Sequence, residues 1–383
     1  MSTLVERSLL DLVSFIVDNR GRTCPTAETG MPLIATNCVK SAHREPVFEN
    51  VRYVDGETYL NWFRAHPEPN DVLFVCKGTP GRVAVVPDPV PFCIAQDMVA
   101  LRANPATANP RYLYYRLRAA DVQSSIENMH VGTMIPHFKK GDFGRLRFLV
   151  HEDVREQAVI ADVLTALDDK IAANERVLKL IESFVAAEYG AALSAGSRDV
   201  QLSDVAVFRN RQRIPLSSRQ REERRGAVPY YGAAGRLDFV NEALFDEPLV
   251  LVGEDGSVID EKGRPIVQYI WGPSWVNNHA HVLTGNGIAT ETLRQAIIRS
   301  NVAHLVTGAV QPKISMGNLK RLVLQVPSML GQFDGIAVIF AAATRALTDE
   351  SAVLARTRDE LLPHLMSGKI RVKDAEAVVG DVL

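Results

Sequence analysis

Gly132-Thr133-Met134-Ile135-Pro136, followed by Gly141 and Arg145-Leu146, returns 176 residues later as Gly308-Ala309-Val310-Gln311-Pro312, followed by Gly317 and Arg321-Leu322. The same offset carries Asp71-Val72-Leu73-Phe74-Val75, an acidic residue opening an apolar strand, onto Glu247-Pro248-Leu249-Val250-Leu251. A period this long does not describe a solenoid of small units. It predicts two copies of a whole domain, each followed by the helical stretch that comes after its Gly-to-Leu block. The 383 residues suffice for two buried cores. The expected segments are globular 1–150, helical 151–198, globular 199–328 and helical 329–383, and such a chain meets a partner twice.

The helical stretches carry the strongest periodic signal. Apolar residues fall at Ile160, Leu164, Leu167 and Ile171, then at Leu178, Ile181 and Val185, in steps of four and three with Asn174 filling the one gap. That is a heptad seam, and a buried amide at an a-type position pairs in only one register and so specifies a partner. The second copy keeps the d-type row Phe340, Leu347, Leu354 and Leu361, but its a-type row is Ala343, Glu350, Thr357 and His364. A seam that weak on one side cannot make a long homodimeric coil, so the two helices are expected to pack on each other within one chain. At about 30 residues each they would measure about 45 Å.

The net charge of -2 becomes informative when divided by region. Residues 1–150 carry 17 Lys+Arg against 15 Asp+Glu, and residues 199–328 carry 15 against 13. The helical stretches have the opposite sign, with 5 against 9 in 151–198 and 6 against 8 in 329–383. Two mildly basic domains on acidic spacers fit domains that touch DNA and spacers that touch proteins. No apolar run approaches the roughly 18 residues of a membrane span, and the first residues lack a signal-peptide pattern, so the expected location is cytoplasmic without membrane attachment. Cys24, Cys38, Cys76 and Cys93 all lie in the first repeat and have no counterparts in the second. They are expected to be buried thiols rather than disulfide or zinc ligands.

Inside the domains the pattern is short strands and turns. Asp71 to Val75, Val83 to Val86 and Phe92 to Ala95 read as strands, separated by Gly78-Thr79-Pro80-Gly81 and Pro87-Asp88-Pro89. Arg111 to Arg118 reads as a helix whose tyrosines belong to the core. The second domain opens on the densest basic segment, Arg209, Arg211, Arg213, Arg219, Arg221, Arg224 and Arg225, followed by Tyr230-Tyr231-Gly232. Arginine forks beside aromatics suit phosphate and guanine, although a solvated loop has the same composition.

Catalytic signatures fail one by one. Lys77-Gly78-Thr79-Pro80-Gly81-Arg82 has the glycines of a phosphate cradle without its Gly-Lys-Ser/Thr ending. Asp168-Asp169-Lys170 looks like part of a nuclease carboxylate set but sits inside the heptad helix. His279-Ala280-His281 offers two imidazoles without a third ligand at a suggestive spacing, which favours a turn or a DNA-facing pair over a metal. No Asn/Asp-Pro-Pro-aromatic segment is present to hold a flipped base. The residues predict neither a catalytic site nor a cofactor or metal site on this chain.

The run Gly132-Thr133-Met134-Ile135-Pro136-His137-Phe138, then Asp142-Phe143, Leu146, Glu156-Gln157, Ile160-Ala161-Asp162-Val163-Leu164 and Leu167-Asp168-Asp169-Lys170-Ile171, resembles the junction of target-recognition domain and helix in specificity subunits of Type I restriction-modification systems. Lys77 to Arg82, Gln96, and the ending Leu361-Leu362-Pro363-His364-Leu365-Met366-Ser367-Gly368-Lys369-Ile370 share that resemblance, which covers almost the whole chain. It implies an α+β fold: two mixed α/β target-recognition domains separated by two long antiparallel helices that form an intramolecular coiled coil, with a pseudo-twofold internal repeat. It also implies that each domain reads one half of an asymmetric bipartite DNA target. Two modification subunits would dock on the helices, and motor-nuclease subunits would complete the complex. S-adenosylmethionine, ATP and Mg are then expected on those partners, and the chain itself is expected to be non-catalytic. The second half departs from the pattern, with Gln332-Phe333 in place of Glu156-Gln157 and Thr344-Arg345-Ala346-Leu347 in place of Asp168 to Ile171.

Candidate DNA contacts are Lys77, Thr79, Arg82, Lys139 and Lys140 in the first domain and Arg219, Arg221, Tyr230 and Lys313 in the second. Two other readings stay open: the recognition part of a stand-alone modification enzyme, and a paired-domain scaffold with no nucleic-acid role.

Overall fold

Val72-Leu73-Phe74-Val75 and Leu249-Val250-Leu251-Val252 are apolar at every position and buried on both faces, which makes each the central strand of a covered sheet. The computed structural model describes residues 3–19, 22–129, 135–308 and 311–383. Gly132-Thr133-Met134 of the first boundary motif and Ala309-Val310 of the second lie outside the described residues.

The first repeat runs β1 (Leu4–Ser8), β2 (Val13–Asp18), β3 (Met31–Ile34), β4 (Arg52–Val54), α1 (Gly56–Asn61), β5 (Val72–Val75), β6 (Val83–Val85), β7 (Cys93–Ile94), β8 (Met98–Ala103), α2 (Pro110–Arg118), α3 (Ala120–Met129), β9 (Arg147–His151) and α4 (Val154–Ala195). The second runs β10 (Ser197–Gln201), α5 (Leu202–Val205), β11 (Ala206–Phe208), α6 (Ser218–Glu223), β12 (Val228–Tyr231), β13 (Arg236–Val240), β14 (Phe245–Asp246), β15 (Leu249–Gly253), β16 (Val267–Ile270), β17 (Pro273–Val276), β18 (Ala280–Gly285), α7 (Thr290–Arg299), α8 (Met316–Lys320), β19 (Val323–Pro327) and α9 (Leu330–Met366), with α10 (Val372–Gly380) beyond it.

The repeat is one of topology. An antiparallel sheet ordered β2-β8-β5-β6 recurs as β11-β18-β15-β16. A second sheet, β4-β3-β7 with β3 and β7 parallel, recurs as β13-β12-β17-β14 with β12 and β17 parallel. β1 pairs with β9 and β10 with β19, so each repeat closes on itself just before its long helix. The 176-residue offset holds from the boundary motifs onward, as for Arg147 and Val323, which open β9 and β19. Leu4 and Ser197, which open the two repeats, are 193 apart.

The chain forms two compact units, one of residues 1–173 with 350–383 and one of residues 174–349. The sequence-based segments separate globular from helical stretches, whereas each compact unit joins a globular part to portions of both long helices. At 42 and 37 residues, α4 and α9 measure about 63 and 55 Å, longer than the expected 45 Å.

The helices pair antiparallel within each unit. In the first, Arg358 meets Asp168 at 2.6 Å and Lys170 meets Glu350 at 3.2 Å. In the second, Phe184 packs on Phe340 and Tyr189 on Phe333, with ring centroids 4.9 and 5.0 Å apart. The seam is not uniform along its length. Ile160, Leu164 and Leu167 are buried in the same core as Tyr112, Tyr114 and Tyr115 of α2, together with Leu354 and Leu361. Ile171, Leu178, Ile181, Phe340 and Leu347 are half-buried, while Asn174 is buried as its a-type position predicts. The a-type assignment of His364 is wrong: it is exposed, and Leu361, Leu362, Leu365 and Met366 make the buried face. A heptad register holds along a two-helix seam, and here the ends of the helices also face a domain core, which moves the apolar stripe.

α9 also corrects the expectation about apolar runs. Its alanine- and glycine-rich first half makes it long and apolar enough to cross a membrane by length and composition, with a window of mean hydropathy 1.2. Asp334 and Arg345 in that half are nevertheless tied to the globular part of the second unit. Thr292 donates to Asp334 at 2.5 Å, and Arg345 donates to the Tyr269 hydroxyl at 2.5 Å and lies 3.3 Å from Glu291.

The junction motif is explained by what its polar side chains hold. Gln157 is fully buried: its amide donates to the carbonyls of His151 and Thr107, and its oxygen accepts from the Asn109 amide, at 2.7, 3.1 and 2.8 Å. At the matching place in the second repeat the polar clamp is replaced by Phe333, packed on Tyr189. Asp168 accepts from the Tyr115 hydroxyl and from Arg358, each at 2.6 Å, and Asp169 pairs with Arg44 at 2.6 Å. Burial and the adjacent carboxylate push the Tyr115 phenol well above its ordinary range.

Removing one partner of the buried Asp168–Arg358 pair leaves the other charge without compensation, at a cost of about 3–5 kcal/mol. Asp168→Leu should therefore lower the denaturant midpoint strongly, and the double variant Asp168→Leu/Arg358→Leu should recover most of the loss. Equal effects of the single and double variants in urea unfolding would show that the pair is not the source.

Candidate nucleic-acid interface

The glycine-rich turn after β5 and the segment after the first boundary proline fold against each other. Gly78 donates its amide to the Pro136 carbonyl at 2.9 Å, Phe138 donates to the Cys76 carbonyl at 2.8 Å, and Lys77 bridges His137. The reversal needs Gly78 at φ +86°, where a side chain is strained. Gly81, at φ +89°, lets α3 close over the turn: a Cβ there would come within 3.0 Å of the Gln123 side-chain oxygen, and the Gln123 amide donates to the Gly81 carbonyl at 2.9 Å. The buried Cys76 thiol beneath is pushed up to about 12 by desolvation, so it stays protonated and inert. All four cysteines are free and buried, as expected.

The second repeat has the same construction. Gly256, again at φ +86°, donates to the Pro312 carbonyl at 3.0 Å, Ile314 donates to the Glu254 carbonyl at 2.9 Å, and Asp255 bridges Lys313. Sequence comparison missed this equivalence. Pro136 and Pro312 are 176 apart but Gly78 and Gly256 are 178 apart, so a fixed offset does not superpose the two turns. The available signal was a glycine in the turn after each buried strand.

The candidate residues divide by what their side chains do. Lys77 and Lys139 are exposed, Arg82 and Thr79 are half-buried in the turn, and among the described residues none of the three cations makes an ion pair. Lys140 spends its charge on Asp18. In the second repeat Arg219 is exposed and pairs with Glu223 one helical turn away at 3.1 Å. Arg221 is tied to Asp238 at 2.8 Å and to the Leu216 carbonyl at 2.9 Å, and lies over the Tyr230 ring. Tyr230 is 1% exposed and its hydroxyl accepts from the Leu216 amide at 2.9 Å, so the sequence-based assignment of Tyr230 to the surface is corrected: it is core. Lys313 sits between Asp255 and Glu254 at 3.1 and 3.6 Å, and the Asp255 hydrogen bond holds its ammonium above the ordinary lysine range.

The basic segment is largely neutralised. Arg209, Arg213 and Arg224 pair with Glu247, Glu254 and Glu242 at 3.0, 2.7 and 3.0 Å. Arg211 and Arg225 are exposed and make no ion pair among the described residues. These carboxylates lie 18 or more residues from their arginines, which is why composition alone showed a free basic run.

His279-Ala280-His281 is not a DNA-facing pair. His281 is completely buried, with Nδ1 2.8 Å from the Asn210 amide nitrogen and Nε2 2.8 Å from the Ile314 carbonyl oxygen. Nε2 therefore donates and Nδ1 accepts, leaving no nitrogen for a metal. His279 pairs with Asp255 at 3.4 Å.

Burial holds His281 neutral, with its pKa below the ordinary 6.5. The unfolded chain then binds this proton at higher pH than the folded chain does, so stability is full above about pH 6.5 and falls as pH drops toward the folded value. His66 and His151 are shifted the same way by burial. The thermal midpoint should fall from about pH 7 to about pH 5, and His281→Gln should shallow that fall. An unchanged slope in the variant would remove His281 from the pH response.

Comparison with known proteins follows the same duplication. The family model described as Type I restriction modification DNA specificity domain matches twice, at residues 10–183 and 196–348. The chain belongs to this family of Type I restriction-modification specificity proteins. A type I restriction enzyme specificity subunit of Haemophilus influenzae is 30% identical over 150 residues, covering 39% of this chain and 37% of the relative's length. The crystal structure of a Type-I restriction-modification system S subunit from M. genitalium superposes with a TM-score of 0.61 at 18% identity, covering 95% of this chain and 96% of that one, and shows the same fold. The HsdS subunit from Thermoanaerobacter tengcongensis aligns over 96% and 97% of the two chains at 16% identity with a TM-score of 0.39.

Proposed function

We propose that this chain is the DNA-recognition subunit of a Type I restriction-modification complex, with each repeat reading one half of an asymmetric bipartite target. The observation that carries this reading is the duplicated topology: two sheets of the same strand order, each repeat closed by an antiparallel strand pair directly before a long helix. Equivalent folds with different surface residues suit two different half-sites. The chain supplies sequence choice and no chemistry; methyl transfer with S-adenosylmethionine, and ATP- and Mg-dependent cleavage, belong to modification and motor-nuclease partners. Exchanging residues 199–328 for the matching segment of another family member should change one half of the methylated sequence and preserve the other, as mapped by single-molecule sequencing of host DNA. A change in both halves would defeat the modular reading.

The helices are proposed to receive the modification subunits. Leu180 and Ile339 are 69 and 68% exposed on α4 and α9, apolar surface that a docked partner would remove from water. Because Leu164 is fully buried in a domain core, truncating it would unfold the domain as well as disturb docking. Leu180→Glu with Ile339→Glu is the cleaner change: co-purification with the modification subunit should be lost while the thermal midpoint holds. Retained assembly would place the docking surface elsewhere.

A further inference from the structure

The two boundary-clamped turns share a backbone and differ in charge, the first cationic and the second neutralised by its own ion pairs. Cys76, Lys77 and Gly78 occupy the places of Glu254, Asp255 and Gly256, and the facing His137, Phe138 and Lys139 occupy those of Lys313, Ile314 and Ser315. In the first turn Lys77 and Lys139 are exposed, with no ion pair among the described residues. In the second, one lysine is held between two carboxylates, Asp255 also pairs with His279, and Ser315 spends its hydroxyl capping α8 by accepting from the Asn318 amide.

We propose that the two repeats hold the DNA backbone through non-equivalent elements: the first through its clamped turn, with Lys77, Arg82 and Lys139 on phosphate, the second not through that turn but through Arg211 and Arg225. This rests on reading the chain as a DNA-recognition subunit. The local sign decides the matter because salt confines each exposed charge to a range of about 8 Å. A phosphate approaching the first turn meets free ammonium groups. One approaching the second meets Lys313 already paired with Asp255 and Glu254, with Glu254 paired in turn with Arg213, so among the described residues this turn offers no free cation.

The test uses the full chain assembled with its modification subunits and a random-sequence duplex, whose binding is made of phosphate contacts and falls with salt by a log-log slope of about 0.9 per phosphate. Lys77→Ala with Lys139→Ala should flatten the slope by about 2, Arg211→Ala with Arg225→Ala by a similar amount, and Lys313→Ala not at all. Asp255→Lys, which copies the first turn onto the second, should steepen it by about 1. A loss on Lys313→Ala equal to that on Lys77→Ala, or no change in the Lys77/Lys139 variant, would overturn the proposal while leaving DNA recognition in place. A wild-type assembly with no affinity for duplex would overturn both.

Discussion

The burial of helix faces in the domain cores is the constraint on which the rest of the structure depends. Ile160, Leu164 and Leu167 of α4 and Leu354, Leu361 and Leu365 of α9 complete the core that contains the α2 tyrosines. Val185 and Tyr189 of α4 and Phe333 and Ala337 of α9 do the same for the second core. The helices are thus structural members of the domains, and a rotation of either would expose several large side chains at about 1.5–3 kcal/mol each.

Polar side chains fix what the apolar faces leave free. Gln157 satisfies three backbone groups at the entry to α4, and Asp168 joins both helices to α2 through Arg358 and Tyr115. The second repeat solves the same problem with the signs reversed: Arg345 of α9 reaches Tyr269 and Glu291 of its own domain. Unpaired buried charge is costly, so either arrangement holds a single register. The two copies therefore diverged in chemistry while keeping one geometry, in the helices as in the turns.

That divergence is what the proposed reading of two different half-sites requires. A symmetric pair of surfaces would favour a palindromic site, whereas a lysine-bearing turn in one repeat and a self-neutralised turn in the other are different surfaces on one scaffold. Most arginines of the basic segment serve the fold, since Glu247, Glu254, Asp238 and Glu242 return from distant strands and turns to meet them.

The sequence by itself determined the duplication, the long helices, the buried tyrosines and thiols, and the family, because these depend on local periodicity and on motifs that keep their spacing. Asn174 was readable as a buried amide for the same reason. Only the tertiary structure decided which charges are free. Tyr230, Lys140, Arg221 and Lys313 resemble their exposed neighbours in sequence, yet partners 14 to 122 residues away take up their polar groups. The equivalence of the Gly78 and Gly256 turns was likewise hidden by a two-residue change in spacing. Pairing between distant segments leaves no periodic trace, so the candidate interface emerged only once the strands had brought those segments together.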